Sequence, residues 1–248
     1  MDDLSSGDRM KRAAAARALD FVEPGMRLGL GTGSTAAWLV RLLEDRAKAA
    51  GGAAALDLFC VPTSSRTRAQ AEAAGLTVGA LDDVERLDLA IDGADEADGD
   101  LSLIKGGGGA LFQEKIVAAA ADRFVVIADP SKRVDALGAF PLPIEVTPFG
   151  AGSTRRHVAA ALEGADVAAV GIAPRMAGDA AFVTDEGNLI LDLALGRIGD
   201  PAALHAALIA VPGVVETGLF VGMADALVVG REDGSAELHE RPSAGGPT

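Results

Sequence analysis

Acidic residues, lysines and glycines are concentrated in residues 89–116, LAIDGADEADGDLSLIKGGGGALFQEKI. Asp92 and Asp95 directly follow an apolar run typical of a buried strand, and Lys105 and Glu114 come soon after. Carboxylates serve as general acids or bases, and a lysine stabilises developing negative charge. Aspartates also form turns, and an early helical glutamate also suits the helix dipole. The convergence of these groups favours acid–base catalysis over the structural readings.

Four consecutive glycines, residues 106–109, separate that lysine from the helix that carries Glu114. Each glycine loses more conformational entropy on folding than any other residue, so a plain connecting loop has no need of four. We therefore expect Gly106, Gly107 and Gly108 to approach a ligand closely.

The segment GLGTGST, residues 29–35, lies between an apolar strand and a helix. Free N–H groups and the helix dipole favour an anion such as phosphate there, and hydroxyl groups add donors. The segment is not a P-loop, because no lysine follows the glycines, and Ser34 stands where the dinucleotide fingerprint needs its third glycine. A tight turn with an ordinary cap is the alternative. The candidate phosphate ligands are Thr32, Gly33, Ser34 and Thr35.

The formal net charge of −14 repels phosphorylated substrates, so a phosphate site requires local cations. Lys105, Lys132 and Lys11 are the candidates. Lys132 follows another apolar strand and is expected at the carboxyl edge of the sheet, where open α/β sheets bind ligands. Lys11 also fits the solvent face of an amphipathic helix.

Composition argues against several other classes of protein. The 36 acidic residues against 22 basic ones oppose binding to nucleic acid or to an anionic membrane. No signal-peptide core or membrane-spanning stretch is evident, and the single cysteine, Cys60, suits a reducing compartment, so we expect a cytoplasmic protein. Three scattered histidines make a zinc or two-histidine iron site improbable.

Apolar runs and helical periodicities alternate as far as residue 128, which predicts parallel strands covered by helices. After Phe140 the proline-rich PLPIEVTPFG indicates that the chain leaves this sheet. The following strand, helix, strand, strand, helix, strand order matches a split βαβ sandwich. A strand at 226–229 is expected to return to the first sheet, and the final RPSAGGPT has the composition of a disordered tail.

Together, several motifs resemble those of the type A ribose-5-phosphate isomerase family, in the family's order and over nearly the whole chain. The set is specific although each motif alone is weak. The motifs are GLGTGST (29–35), VPTSSRT (61–67), IDGADE (91–96), IKGGGGALFQEK (104–115), DPSKRV (129–134), PLPIEV (141–146) and VTDEGNLILD (183–192).

This resemblance implies an α/β fold with two domains. The main domain is Rossmann-like, with a parallel sheet, and a smaller α+β (ferredoxin-like) domain is inserted into it. We place the main, catalytic domain in residues 1–137 and 221–248, with a disordered tail after about 240, and the smaller domain in 138–220. The resemblance also implies a homodimer or homotetramer that acts on a sugar phosphate without a cofactor or metal.

By matching position, Glu114 is similar to the family's proton-shuttling base, and Lys132 to its remaining binding lysine. The substrate loops correspond to 32–35, to Asp92, Gly93, Ala94 and Asp95, and to Lys105 with Gly106, Gly107 and Gly108. The implied reaction interconverts ribose 5-phosphate and ribulose 5-phosphate through an enediolate. A lysine or a protonated aspartate would stabilise the oxygen, and Asp92 or Asp95 would assist ring opening or pass protons between O1 and O2. Gly109 departs from the alanine of many relatives.

Three alternatives remain open from the sequence. The chain could be an isomerase or deaminase for another sugar phosphate, such as an amino sugar. It could also be the sugar-phosphate-sensing domain of a transcription regulator, although the acidic charge and Glu114 oppose this. A coenzyme A transferase of related fold would use a glutamate to form a covalent thioester.

Overall fold

The computed structural model describes residues 4–241, and the chain alternates strands and helices along most of this length. In chain order the elements are α1 Ser6–Ala18, β1 Arg27–Leu30, α2 Ser34–Ala49, β2 Phe59–Pro62, α3 Ser65–Ala73, β3 Thr77–Val78, β4 Leu89–Gly93, β5 Glu96–Ala97, β6 Leu103–Ile104, α4 Leu111–Ala119, β7 Phe124–Ala128, β8 Leu142–Val146, α5 Ala151–Leu162, β9 Gly171–Pro174, β10 Met176–Ala177, β11 Ala180–Ala181, β12 Leu189–Ala194, α6 Pro201–Ile209, β13 Val214–Thr217, β14 Leu219–Phe220, β15 Ala226–Gly230 and β16 Ala236–Glu240.

Two compact units divide the chain. Within the described residues, the first contains the chain up to Gly93, Val117–Ser131 and the part from Gly222 onward; the second contains Ala94–Ile116 and Lys132–Val221. Residues 94–116 belong to the second unit because β5 and β6 pair with each other and β6 pairs with β14. This division follows from packing, and the domain limits given above stay a prediction.

A seven-stranded sheet forms the first unit, in the order β16-β15-β7-β4-β1-β2-β3. All neighbouring strands are parallel except the β15–β16 pair. The interior strands read as continuous apolar runs because parallel strands are buried on both faces. Buried side chains from β1, β4, β7 and β15 pack with those of α1 and α2 in one core. This is the Rossmann-like parallel sheet that the sequence predicts.

The second unit contains a four-stranded antiparallel sheet in the order β13-β8-β12-β9. Its chain order, β8-α5-β9-β12-α6-β13, is the predicted ferredoxin-like βαββαβ arrangement. Apolar residues of β8, β12, α5 and α6 form a separate core, which includes Ile144, Leu193, Val158 and Leu204.

Proline in this second sheet lies in an interior strand, β8, although proline cannot donate to a strand ladder. Pro143 pairs with Asp192 of β12, whereas the pairing of β8 with β13 covers only Ile144–Val146. The Pro143 carbonyl still accepts a hydrogen bond from Gly218 N at 2.7 Å. The proline therefore stands where its missing N–H removes no bond to β13.

The carboxyl end forms more structure than the sequence analysis expects. β16 pairs with β15 from Ala236 to Glu240. Arg241 donates hydrogen bonds to the carbonyls of Gly222, at 2.8 Å, and Ala224. The rest of the predicted disordered tail, residues 242–248, lies outside the described residues.

Candidate active site

The predicted phosphate loop joins β1 to α2 in the first unit. Gly33 occupies the N-cap position of α2 with φ +119°, and no heavy atom lies within 4 Å of where its Cβ would be. Ser34 is the first helical residue and is exposed. The first N–H groups of a helix have no intrahelical partner and attract anions. Open space at Gly33 gives an anion access to them.

Gly31 of the same loop makes room for Asp92. A Cβ on Gly31 would lie only 2.0 Å from Oδ1 of Asp92. The buried Asp92 carboxylate accepts hydrogen bonds at Oδ1 from Thr32 N, at 3.0 Å, and from Gly93 N, at 2.6 Å. Two backbone amides therefore fix its orientation, and this close packing accounts for the glycine.

The Thr32 hydroxyl is surrounded by other hydroxyl groups. Its Oγ1 lies 2.8 Å from Oγ1 of Thr63, 2.8 Å from Oγ of Ser64 and 3.1 Å from Oγ1 of Thr67. Thr67 also donates to the carbonyl of Gly31 at 3.1 Å. A hydroxyl offers one donor and two acceptor sites, so three such neighbours use its capacity. The Thr32 side chain thus holds the loop in shape.

Thr63, Ser64 and Thr67 belong to the VPTSSRT motif, and no role for them was predicted from the sequence. The structure shows that this motif, between β2 and α3, supports the loop after β1. The signal in the sequence was the density of hydroxyl residues after a strand that lies beside β1.

In the second unit, Lys105 and Glu114 form a buried ion pair. Lys105 Nζ lies 3.3 Å from Oε2 of Glu114, and the two side chains are only 2% and 3% exposed. Lys105 directly follows β6, and Glu114 lies in the first turn of α4. Nζ of Lys105 also lies 5.3 Å from the centre of the Phe220 ring. Burying two charges carries a large desolvation cost, so such a pair contributes little net stability and points to a functional role.

Residues on both sides of Glu114 attach α4 to the rest of the second unit. Lys115 Nζ donates to Glu216 Oε1 and to the carbonyl of Thr217, each at 2.7 Å. Gln113 donates to the Glu186 carboxylate. Burial lowers the pKa of Lys115 and the Glu216 carboxylate opposes this shift. These contacts fix the rotation of the helix and so the direction of the Glu114 side chain.

Within the glycine run, Gly107 packs directly against the carboxylate of Asp95. Gly107 N donates to Asp95 Oδ2 at 2.7 Å, and a Cβ on Gly107 would lie 2.6 Å from Oδ1. Gly106 and Gly109 adopt positive φ angles of +101° and +82°. Gly107 and Gly108 are exposed. The expected backbone approach to a ligand is therefore sterically open at these two residues.

The remaining predicted site residues lie in separate places. Lys132 ends a short 3-10 turn, Pro130–Lys132, and its Nζ lies 5.9 Å from the centre of the Phe140 ring. Lys11 is half-buried on α1. Ala94 is the first residue of the second unit.

The structure thus brings the predicted residues together in two groups. In the first unit, Thr32 and Gly93 contact Asp92 at the start of the phosphate loop. In the second unit, Lys105 contacts Glu114, and Asp95 contacts the glycine run. Between residues 4 and 241 there is no cluster of three or more His, Cys, Asp or Glu side chains suited to a metal ion. Within the same limits, no helix is long and apolar enough to cross a membrane.

Residues 59–234 match the family ribose 5-phosphate isomerase A (phosphoriboisomerase A). The chain is 54% identical over 241 residues to ribose-5-phosphate isomerase A of Cereibacter sphaeroides strain ATCC 17029, covering 97% of this chain and 90% of that protein. It is 55% identical over 238 residues to the protein of the same name from Ruegeria pomeroyi, covering 96% and 89%.

Solved structures of this family share the fold. A ribose 5-phosphate isomerase from Plasmodium falciparum superposes with a TM-score of 0.88 at 30% identity, covering 95% of this chain and all (100%) of that one. A D-ribose-5-phosphate isomerase in complex with phospho-erythronic acid superposes with a TM-score of 0.87 at 36% identity, covering 95% and 99%. With the ordered Asp92 carboxylate and the buried Lys105–Glu114 pair in place, these matches over nearly the full length show that the chain belongs to the ribose 5-phosphate isomerase A family.

Proposed function

We propose that this protein interconverts D-ribose 5-phosphate and D-ribulose 5-phosphate. The observation that carries the proposal is the buried pair of Lys105 and Glu114, 3.3 Å apart, in a member of this family. An aldose–ketose isomerase must remove a weakly acidic proton from a carbon next to a carbonyl, and it must stabilise the charge that develops on the oxygen. A carboxylate beside an ammonium group offers both functions.

Glu114 is the proposed base. It takes the proton from C2 of the aldose, which gives an enediolate, and returns the proton to C1 to give the ketose. The reverse transfer operates in the other direction. Burial of the carboxylate, at 3% exposure, supports this role because it keeps bulk water from exchanging the carried proton.

Lys105 is the proposed electrostatic stabiliser of the enediolate oxygens. A cation held in a site that excludes water stabilises developing negative charge more strongly than it would in solvent. The N–H groups of Gly106 and Gly108 are proposed to add uncharged donors, while that of Gly107 holds Asp95. Asp92 and Asp95 are proposed to assist ring opening and to pass a proton between O1 and O2. The hydrogen bonds from backbone amides support these roles, since they fix Oδ1 of Asp92 and Oδ2 of Asp95 in place.

The loop after β1 is the proposed phosphate site. Gly33, Ser34 and Thr35 at the start of α2 offer N–H and hydroxyl donors, and Thr32 keeps the loop in shape through its hydroxyl contacts. Lys132 and Lys11 are the proposed cations that offset the net charge of −14. Phospho-erythronic acid, bound by one solved relative, is a phosphorylated sugar acid, and this supports a sugar phosphate as the substrate here.

Several finer features belong to the same proposal. The enzyme is proposed to work without a cofactor or metal, in the cytoplasm, as a homodimer or homotetramer in the non-oxidative pentose phosphate pathway, with no nucleic acid or membrane partner. The catalytic domain is proposed to comprise residues 1–137 and 221–248, and the smaller domain residues 138–220. The core of the β8-α5-β9-β12-α6-β13 segment supports a smaller domain, and Ile104 and Leu137 also pack in this core.

The decisive experiment is an isomerase assay in the presence of a metal chelator. Purified protein is incubated with ribose 5-phosphate, and formation of ribulose 5-phosphate is followed at low and high salt. Rapid conversion that the chelator does not slow is expected. Folded protein that converts no ribose 5-phosphate under either condition would contradict the proposal. Parallel assays with an amino-sugar phosphate, and trapping of a coenzyme A thioester, would then test the alternatives.

A further inference from the structure

Arg175 of the second unit connects the inserted sheet to the glycine run. It directly follows β9, and its side chain is 14% exposed. Its Nε lies 3.0 Å from Oδ2 of Asp192 on β12, and its Nη2 lies 2.5 Å from Oδ1. Such a two-bond arginine–carboxylate pair fixes the plane of the guanidinium group. Arg175 is therefore a rigid donor with its position set by Asp192.

The third nitrogen of this guanidinium group binds the glycine run. Nη1 of Arg175 lies 2.7 Å from the Gly106 carbonyl oxygen and 3.3 Å from the Gly107 carbonyl oxygen. On the other side of the first of these peptides, Gly107 N donates to Asp95. One peptide group is thus bonded at its oxygen to a cation and at its N–H to an anion.

The direction of two N–H groups follows from these contacts. In a trans peptide the C=O and N–H bonds point in opposite directions, and the described residues contain no cis peptide. Because the carbonyls of Gly106 and Gly107 both face Arg175, the N–H groups of Gly107 and Gly108 face away from it, toward the side of Asp95. Successive N–H groups on one side form a concavity that attracts anionic oxygens. Asp95 already accepts from the Gly107 N–H, and Gly108 is exposed, so a ligand can reach the Gly108 N–H beside this carboxylate.

Without contacts from other residues, the peptide groups of the glycine run would adopt many orientations. Glycine reaches positive and negative φ with similar ease, so four in a row sample several orientations of each peptide. Phe182 restricts the far end of the run, since its ring lies 2.4 Å from where a Cβ of Gly109 would be. Arg175 restricts the two peptides nearest Lys105.

We propose that Arg175, held by Asp192, is a positioning residue of the isomerase, which holds the Gly107 N–H on Asp95 and orients the Gly108 N–H toward the substrate's reacting oxygens. This inference rests on the proposed function. Arg175 does not touch the substrate and acts through the glycine backbone.

The test compares four variants with the wild-type enzyme. Arg175→Ala removes the side chain that binds the glycine carbonyls. Arg175→Lys keeps the positive charge without the planar guanidinium group, and Asp192→Asn weakens the two-bond pairing that fixes this group. Arg197→Ala is the matched control, because Arg197 forms an exposed ion pair with Asp166 in the same unit. We expect Arg175→Ala to lower kcat by ~10²-fold with KM changed less than about threefold, since small misplacements of catalytic groups have effects of this size. Arg175→Lys and Asp192→Asn should each lose about 10-fold, and the control should match the wild type.

A second readout follows the backbone itself. In a nitrogen-15 spectrum, the Gly107 amide proton should resonate downfield because its acceptor is a carboxylate, and Arg175→Ala should move it upfield while Arg197→Ala does not. A wild-type kcat in an Arg175→Ala enzyme, or an unmoved Gly107 resonance, would overturn the positioning role alone. If Arg175→Ala fails to fold, Arg175→Lys and Asp192→Asn decide by the same two measures. A wild-type protein without isomerase activity would instead overturn the proposed function, whatever the spectra show.

Discussion

Lys105 Nζ lies 3.3 Å from Glu114 Oε2, and the chain brings the two residues together across the four-glycine run that separates them in sequence. Both side chains are shielded from water, so their charges interact in a medium less polarisable than solvent. The glycine run turns between β6 and α4 with positive φ at Gly106 and Gly109. The four glycines have a high conformational entropy cost, and they allow the chain to turn so that the end of β6 faces the start of α4.

Glu114→Gln keeps the shape of the side chain and removes the base. We expect turnover to fall by at least ~10²-fold with substrate binding largely kept, because general base catalysis contributes about that much. The measurement is kcat and KM for ribose 5-phosphate. Glu163→Gln, at the exposed end of α5, is the control and should be fully active. Near-normal turnover in Glu114→Gln would remove Glu114 from the mechanism.

Lys105→Ala removes one member of a buried ion pair and leaves the Glu114 carboxylate buried without this cation. Breaking such a pair typically costs about 3–5 kcal/mol of the free energy of unfolding. We expect a lower urea midpoint and weaker substrate binding. Lys48→Ala breaks the exposed pair with Glu44 and should leave the midpoint unchanged. Equal midpoints for the two variants would show that the Lys105 pair contributes nothing to stability.

Lys132→Ala tests the proposed contribution of this lysine to phosphate binding. The lysine is partly exposed beside Phe140, so its loss should disturb the fold little. We expect KM for ribose 5-phosphate to rise by about 10-fold, in line with the loss of a charged hydrogen bond, with kcat near the wild-type value. Inorganic phosphate should also inhibit the variant less strongly. An unchanged KM would take Lys132 out of the site.

Gly31→Ala places a methyl group where the Asp92 carboxylate lies. The added Cβ would be 2.0 Å from Oδ1 and 2.5 Å from the Asp92 Cα, so backbone as well as side chain must shift. We expect a loss of about 1–3 kcal/mol in the free energy of unfolding and a lower kcat. Gly99→Ala is the matched control, because no heavy atom lies within 4 Å of its Cβ position. Full activity in Gly31→Ala would mean that the exact position of Asp92 is unimportant.

The long elements of the fold were predictable because each has a periodic apolar pattern and residues at its ends that favour turns or caps. The alternation of apolar runs and helical periodicities as far as residue 128 predicted parallel strands, and β1, β4 and β7 lie in this stretch, the last at Phe124–Ala128. The order of elements after Phe140 was enough to predict the ferredoxin-like sheet. Strands of two residues, such as β5 and β6, have no periodicity to detect, and their pairing depends on distant β14.

The candidate site was predictable as a set of residues and not as a set of contacts. Residue types can be read directly from the sequence, so Glu114, Asp92 and Lys105 could be named as candidates. The packing of Gly31 on Asp92 joins residues 31 and 92 and is a property of the sheet register. Arg175 lies still farther from the glycine run in sequence, and one arginine between two short strands carries no distinguishing pattern. Cys60 is buried, and burial raises the pKa of its thiol to about 12.

Glu145 gives a prediction for pH dependence that is separate from catalysis. This carboxyl group is buried on β8, and burial raises its pKa above the usual 4.5, although hydrogen bonds from Asn188 and Thr184 oppose the shift. The folded state therefore holds this proton more tightly than the unfolded state. Its contribution to stability is fully present below about pH 4.5 and is lost as the pH rises through the raised pKa.

Glu145→Gln keeps an acceptor oxygen for Thr184 but cannot ionise. We expect the unfolding free energy of the variant, relative to wild type, to increase between pH 4.5 and pH 8, because only the wild type must bury a charge at the higher pH. Urea midpoints at several pH values measure this difference. The exposed Glu163→Gln variant is the control and should follow the wild type throughout. A difference between Glu145→Gln and wild type that stays constant with pH would mean that burial does not shift the titration of Glu145, and that Asn188 and Thr184 compensate for the lost hydration.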